Sequence, residues 1–290
     1  MVVVGLVARA HAQAPDFAKV KITTVKVADG VYMLQGAGGN IGVSVGEDGV
    51  LVIDDQFAEL TPRILAAIKA ISKQPIRFVL NTHWHGDHVG GNQNMAKAGA
   101  VIVAHENVRK RMSVGQFMEL MQHQVPPAPP KALPVVTFAS DVTFHFNGDE
   151  IRVIHVEPAH TDGDSIIHFK KANVIHTGDC YMTIGYPFVD IGSGGSFLGI
   201  LAAGDKILGL ADAKTKIIPG HGNLSDRAEY AAWRDTLVTI RDRVQKLLAQ
   251  KKTLAEVQAA KPSAEFDAKL GVVFIKPDQI VEYVYKALAR

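Results

Sequence analysis

Three histidines and an aspartate lie close together in the sequence, at His83, His85, Asp87 and His88. Alternate side chains of an extended segment point to the same face, so His83 and His85 are placed to bind one metal ion. Asp87 and His88 follow a turn at Gly86 and are placed to bind a second ion nearby. Neutral imidazole and carboxylate are common zinc ligands in proteins, so this spacing predicts a metal centre.

Three further candidate ligands follow downstream, at His160, Asp179 and His221. Each follows an apolar run that is typical of a strand, on the loop at its end. A loop at the end of a strand is a place where a rigid scaffold positions functional side chains. Glycines beside these residues permit the tight turns that such loops need.

This set of side chains predicts hydrolysis without a covalent enzyme intermediate. Two divalent cations in such a centre lie about 3.5–4 Å apart and need a shared carboxylate to offset their repulsion. A water between them has a pKa of about 7, so a hydroxide that bridges the two metal ions is the predicted nucleophile. Asp87 is the predicted catalytic residue, because it can bind the second ion and also hydrogen-bond this hydroxide.

The order and spacing of these residues resemble the metallo-β-lactamase superfamily, from about residue 21 to about residue 223. The resemblance implies an α/β fold, the four-layer αβ/βα sandwich, with two zinc ions (Zn²⁺) per chain at one edge of its two sheets. The ligand set that it implies is His83, His85 and His160 for the first zinc, Asp87, His88 and His221 for the second, and Asp179 as the bridge between them.

Two further residues leave alternatives open. Cys180 competes with Asp179 as the central ligand, because thiolate binds zinc well and one branch of the superfamily carries a cysteine there. The sequence Thr177-Gly178-Asp179 favours the carboxylate. Asp54 closes an apolar strand, and it is either a carboxylate that orients a ligand histidine or a cap at the strand end.

The metal ligands alone do not define the substrate, and an ester, lactone, thioester or amide bond, including a β-lactam, remains open. Cysteine-ligated lactamases place a lysine three residues after their cysteine. Here Met182 stands three residues after Asp179, and Thr183 stands three after Cys180, which disfavours a specialised β-lactamase. The alternatives to a hydrolase are an iron-dependent oxidoreductase similar to persulfide dioxygenases and a non-catalytic periplasmic accessory protein. The complete ligand set favours the hydrolase.

The elements that must position these residues alternate between strands and helices, which is typical of layered α/β packing. A meander of short strands over 21–53 precedes a predicted amphipathic helix over 58–72. A buried strand over 76–80 leads into the metal motif. Beyond residue 223 the pattern predicts a helical C-terminal extension without recognisable chemistry.

Residues 105–134 resemble an insertion near the predicted site. The pattern predicts one helix from His105 to Gln124, which the prolines between 126 and 130 end. This segment is either a wall or lid of the substrate site or a surface excursion, and the sequence favours neither.

Length and composition favour one domain over residues 15–290, after an export-signal remnant at residues 1–14. The apolar start and the sequence Ala10-His11-Ala12 predict a cleaved signal and a periplasmic protein, with the cytoplasm as the alternative. The single cysteine excludes a disulfide within the chain. With a net charge of +2 and no basic stripe, we expect a small-molecule substrate and no nucleic-acid partner. No later segment has the ~18 apolar residues of a membrane span, and an oligomer remains open.

Overall fold

The computed structural model describes residues 16–289, so the predicted export-signal remnant lies outside the described residues. The strands of this region are β1 (Thr23–Ala28), β2 (Val31–Gln35), β3 (Ile41–Gly46), β4 (Gly49–Ile53), β5 (Ile76–Asn81), β6 (Val101–His105), β7 (Gln116–Met118), β8 (His123–Val125), β9 (Val136–Phe138), β10 (Asp141–Phe146), β11 (Asp149–His155), β12 (Ser165–Phe169), β13 (Val174–His176), β14 (Lys216–Ile218) and β15 (Ser225–Asp226). The α-helices are α1 (Thr61–Ile71), α2 (Gly86–Val89), α3 (Asn92–Lys97), α4 (Glu106–Met112), α5 (Phe197–Leu210), α6 (Arg227–Ala249), α7 (Leu254–Ala259), α8 (Ala264–Leu270) and α9 (Pro277–Leu288).

Two sheets form the framework, and each comes from one half of the chain. The first sheet has the strand order β1-β2-β3-β4-β5-β6-β9, and the second has the order β10-β11-β12-β13-β14-β15. The neighbours from β4 to β9 run parallel, as do β13 and β14. The remaining neighbours within these two sheets run antiparallel. Parallel neighbours matter here because the loops at their carboxyl ends meet at one edge of a sheet.

Apolar side chains fill three spaces between four layers. Between the two sheets, Met33 and Leu80 belong to the same buried cluster as Ile167 and Phe169. The outer face of the first sheet packs against α1 and α3, and the outer face of the second packs against α5, α6 and α9. Strand β4 is apolar and buried throughout because both faces of its sheet are covered. The predicted four-layer αβ/βα sandwich is confirmed.

The segment 105–134 differs from its prediction as a single long helix. Helix α4 ends at Met112, and β7 and β8 form a separate antiparallel hairpin. The helical prediction was wrong because the apolar residues behind it do not share one face: Met118 is buried, whereas Phe117 and Met121 are exposed. Arg111 fixes the segment to the second half of the chain through an ion pair of 2.7 Å with Asp162.

Helices α6 to α9 follow the second sheet, in the region where the sequence predicts a helical extension. Helix α6 buries Tyr230, Trp233 and Leu237 against that sheet and begins at Asp226, whose carboxylate accepts hydrogen bonds from two backbone N–H groups of the first turn. Across residues 16–289, every helix falls short of the length or the apolar character that a membrane crossing requires.

Candidate metal centre

Strand ends bring all seven predicted ligands into one cluster. The loop after β5 carries His83 and His85, and α2 begins directly behind them. Three of the other predicted ligands, His160, Asp179 and His221, follow strands of the second sheet. Asp87 and His88 lie in α2. His160 lies in the loop after β11, Asp179 in the 3₁₀ turn after β13, and His221 in the loop after β14. The cluster therefore joins the two halves of the chain.

Three imidazoles form the buried half of the cluster. The nitrogen donors of His83, His85 and His160 lie within 4.8 Å of one another. Nδ1 of His85 lies 2.8 Å from Nε2 of His160. Nε2 of His83 is buried without a hydrogen-bond partner. A buried polar atom without a partner is costly, and a metal ion at this position would remove that cost.

Burial also fixes the charge of His83 and His160. It lowers the pKa of His83 well below the usual value, and neighbouring histidines add to the effect. Burial likewise lowers the pKa of His160, to about 4. Both side chains are therefore neutral at physiological pH, which is the form of imidazole that binds a metal.

Asp87, His88 and His221 form the open half of the cluster. Nε2 of His221 lies 3.3 Å from Oδ2 of Asp87 and 3.3 Å from Nε2 of His88. His88 is fully buried, but the side chains of Asp87 and His221 are 29% and 22% exposed. The cluster is therefore open to solvent on the side of Asp87 and His221.

Asp179 lies between the two halves. Its Oδ2 is 3.6 Å from Nε2 of His160 and 3.4 Å from Nε2 of His221, and its Oδ1 is 3.2 Å from Nε2 of His88. Cys180 belongs to none of the donor groups found among the described residues. Its thiol is buried in the apolar core, and burial, reinforced by nearby carboxylates, raises its pKa well above the usual value. The geometry thus favours Asp179 over Cys180 as the central ligand.

Carboxylates control the protonation of the open half. Burial lowers the pKa of His88, but the charges of Asp179, Asp87 and Asp54 outweigh it and raise the pKa well above the usual value. The same balance raises the pKa of His221 to about 10. In the absence of a metal, protons on these two imidazoles balance the carboxylates. Nitrogen and carboxylate donors with this charge fit divalent zinc.

Asp54 lies next to the cluster and connects by hydrogen bonds to a histidine in each half. Its Oδ2 accepts a hydrogen bond from Nδ1 of His88 at 2.8 Å and from the hydroxyl of Thr82 at 2.7 Å. The hydroxyl of Thr82 lies 3.0 Å from Nδ1 of His83. The alternative left open by the sequence is therefore resolved, since Asp54 orients a predicted ligand directly.

Asp190 has the same role for His85, and the sequence did not reveal it. Its Oδ2 lies 3.0 Å from Nε2 of His85. Two residues earlier, the carbonyl oxygen of Phe188 lies 2.7 Å from Nδ1 of His160, and the Phe188 ring stacks on His85 at 5.7 Å between centroids. Asp190 is 105 residues away from His85 along the chain. The only local signal was a carboxylate placed directly after two apolar residues.

A cavity of about 300 Å³ lies beside the loop that supports His85. Its lining includes Leu120 from the 105–134 segment, Phe188 and Asp190 from the supporting loop, and Tyr283 from α9. Neither Asp87 nor His221 lines it, so it does not open onto the exposed half of the cluster. The 105–134 segment therefore contributes one wall of this cavity.

One family of proteins matches a stretch of this chain that contains all seven candidate ligands. A sequence model described as the "Metallo-beta-lactamase superfamily" matches residues 35–243. The chain is 27% identical to "Beta-lactamase-like protein 2 homolog" of Drosophila melanogaster over 60% of this chain and 55% of that protein. It is 24% identical to "Hydroxyacylglutathione hydrolase" of Pelagibacter ubique over 55% of this chain and 57% of that protein. The chain thus spans about half the length of these curated relatives.

Solved structures share the fold. The "Metallo-beta-lactamase from Pontibacter korlensis" aligns with a TM-score of 0.61 at 18% identity, over 74% of this chain and 99% of that chain. A "stereoselective inverting sec-alkylsulfatase" from Pseudomonas sp. aligns with a TM-score of 0.68 at 19% identity, over 91% of this chain and 50% of that chain. At these identities the likeness concerns the architecture alone.

Proposed function

Because the chain belongs to the metallo-beta-lactamase superfamily, as the sequence motifs predicted, we propose that it is a hydrolase that uses two zinc ions per chain. One observation carries this proposal. Asp179 contacts both halves of a cluster of five imidazoles and two carboxylates, which is the arrangement that two neighbouring cations require.

The two halves of the cluster supply the proposed ligand sets. The unpartnered Nε2 of the buried His83 supports a metal in the first set, and the charge balance around His221 supports one in the second. Asp179 is the proposed bridge. The sets are His83, His85 and His160 for the first zinc, and Asp87, His88 and His221 for the second.

When bound, the zinc ions would polarise a carbonyl group and make a water nucleophilic near neutral pH. Asp87 then has the catalytic role among the protein groups. Its carboxylate is partly exposed on the open side, where it can accept a hydrogen bond from the attacking water and orient it. The ring of Phe188 stacks on the imidazole of His85 and helps to bury it.

The proposed substrates are carboxylic esters, lactones, thioesters or amides. Thioesters come first, because two matched relatives are named hydroxyacylglutathione hydrolase. A β-lactam is placed lower, since Met182 and Thr183 stand at the positions where a lysine would anchor its carboxylate. Periplasmic export remains a prediction from residues 1–14.

Metal analysis combined with a substrate panel tests this function. We expect about two zinc ions per purified chain and zinc-dependent hydrolysis of at least one thioester, ester, lactone or lactam. Asp179→Asn should abolish this activity, whereas Asp141→Asn, in an exposed ion pair with Arg152, should retain it. One iron per chain with oxygen consumption on a persulfide would instead support the dioxygenase alternative. Two zinc ions without any turnover would contradict the proposed hydrolase.

A further inference from the structure

Four exposed apolar residues form a surface beside the metal cluster, which we term the apolar rim. Ile184, Val272, Val273 and Phe274 expose 45%, 63%, 46% and 46% of their surface. Val273 lies against the backbone of Gly185, so the two segments that carry the rim are in contact. Single exposed apolar residues are ordinary, but a grouped set indicates a binding surface.

The rim is continuous with both sides of the cluster. The ring of Phe274 meets Phe188 edge-on at 5.5 Å between centroids, and Phe188 stacks on His85 at 5.7 Å. At its other end, Ile184 reaches Gly222, where a Cβ would lie 3.2 Å from the Ile184 methyl group. Gly222 directly follows His221. The rim therefore lies next to residues that border the cluster on two sides.

Hydrogen bonds hold the rim in place. The ammonium group of Lys276 donates to the carbonyl oxygens of Val272 at 3.0 Å and Val273 at 2.7 Å. The N–H group of Tyr186 donates to the carbonyl oxygen of Leu270 at 3.1 Å, which joins the two segments of the rim. An apolar surface that is ordered before binding loses little entropy when it is covered.

We propose that the apolar rim binds an alkyl or acyl chain of the substrate. This inference rests on the proposed function and names the substrate class more closely. The four side chains offer no hydrogen-bonding group, so the occupant has to be apolar. The rim adjoins Phe188, which stacks on His85, and Gly222, which follows His221. Because of this position, the occupant is part of the molecule that the cluster binds.

Two series of thioesters test the rim and show whether it binds the acyl group or the thiol group of the substrate. One series lengthens the acyl group on N-acetylcysteamine from acetyl to decanoyl, and the other lengthens the thiol of an acetyl thioester from ethyl to decyl. In the series that uses the rim, kcat/KM should rise by up to about fourfold per methylene until the rim is covered. If kcat/KM is independent of length in both series, the inference is wrong.

Matched variants assign the effect to the rim. Phe274→Ser and Val273→Ser should lower the ratio of kcat/KM for long over short chains by roughly tenfold. Val135→Ser replaces an exposed valine on another element and should leave this ratio unchanged. Thermal unfolding verifies that each variant is folded. If Phe274→Ser changes only the sedimentation of the protein or its binding to lipid vesicles, the rim is a protein or membrane contact and the inference is overturned.

Binding of an inert ligand separates failure of the rim from failure of the proposed function. The thioethers 2-(octylthio)ethanol and 2-(ethylthio)ethanol have no hydrolysable bond, and calorimetry measures their affinity. Tighter binding of the octyl compound that disappears in Phe274→Ser supports the rim even when no thioester is turned over. Equal affinities of the wild-type protein for both thioethers contradict it.

Discussion

Oδ2 of Asp54 lies 2.8 Å from Nδ1 of His88, and both side chains are fully buried. The same oxygen reaches His83 indirectly, through the hydroxyl of Thr82. One carboxylate therefore orients an imidazole in each half of the cluster. The backbone of Asp54 is in the left-handed region, with φ of 60°, a conformation that aspartate and asparagine tolerate better than most residues.

Asp54→Asn should weaken zinc binding by about ten- to a hundredfold. Asparagine keeps the size and the backbone conformation but loses the charge that holds His88. Competition with a chromogenic chelator measures the affinity. Asp29→Asn is the matched control, because Asp29 is exposed and pairs only with Lys26. An unchanged affinity in Asp54→Asn would remove the orienting role of this carboxylate.

Asp87→Ala should lower kcat/KM by about 10²–10⁴-fold while the fold remains intact. The side chain is partly exposed, so its loss leaves little buried space. Steady-state kinetics, circular dichroism and zinc content are measured on the same preparation. Wild-type turnover in a fully folded Asp87→Ala protein would contradict the assigned catalytic role.

Gly220→Ala should disrupt the centre, whereas Gly86→Ala should not. A Cβ at Gly220 would lie 2.0 Å from Oδ1 of Asp179, so the central carboxylate would have to move. A Cβ at Gly86 meets no atom within 4 Å, although Gly86 lies between two predicted ligands. Zinc content after dialysis distinguishes the variants. Full zinc retention in Gly220→Ala would argue against the position assigned to Asp179.

Zinc binding should release protons at pH 7. Burial lowers the pKa of His221, but Asp179 and Asp87 outweigh it and raise the value to about 10, and the pKa of His88 is raised as well. Both imidazoles are therefore protonated in the metal-free protein, and zinc binds only the neutral form. Affinity should thus increase as the pH rises from 7 towards 10. Calorimetry in buffers of different ionisation enthalpy should show roughly one to two protons released, and none would refute the prediction.

Cys180→Ala should retain the zinc content of the wild-type protein. The thiol is buried in the apolar core with a raised pKa, so it is protonated, and it belongs to none of the donor groups found among the described residues. The cost is a small cavity, and the free energy of unfolding should fall by about 1–2 kcal/mol. Chemical denaturation and metal analysis measure both effects. Loss of one zinc ion in this variant would show that Cys180 is a ligand.

The sequence was sufficient where chemistry and local structure coincide. His83, His85, Asp87 and His88 lie in one short segment, and their types and spacing predict a shared site without knowledge of the rest of the fold. The distant residues His160, Asp179 and His221 were found because each follows a strand-like apolar run. The structure brings all seven together, and their roles as ligands remain to be measured.

Tertiary contacts decided what the sequence did not reveal. Asp190 supports His85 only because the loop after Asp179 folds back over the cluster, and no local pattern encodes that approach. The rim residues Val273 and Phe274 lie in a short loop before α9 that has no periodicity of its own. In the 105–134 segment, the apolar residues predicted a helix from the sequence, but packing buries Met118 in a hairpin and leaves Phe117 and Met121 exposed.

The cluster draws on both sheets, and each sheet is built from a separate half of the chain. His83, His85, Asp87 and His88 come from the first half, and His160, Asp179 and His221 come from the second. Metal ions bound there would hold the two halves together at one end of the apolar interface between the sheets. A ligand that binds only the native state shifts the folding equilibrium towards that state. A chelator should therefore lower the free energy of unfolding at this interface as well as stop the chemistry.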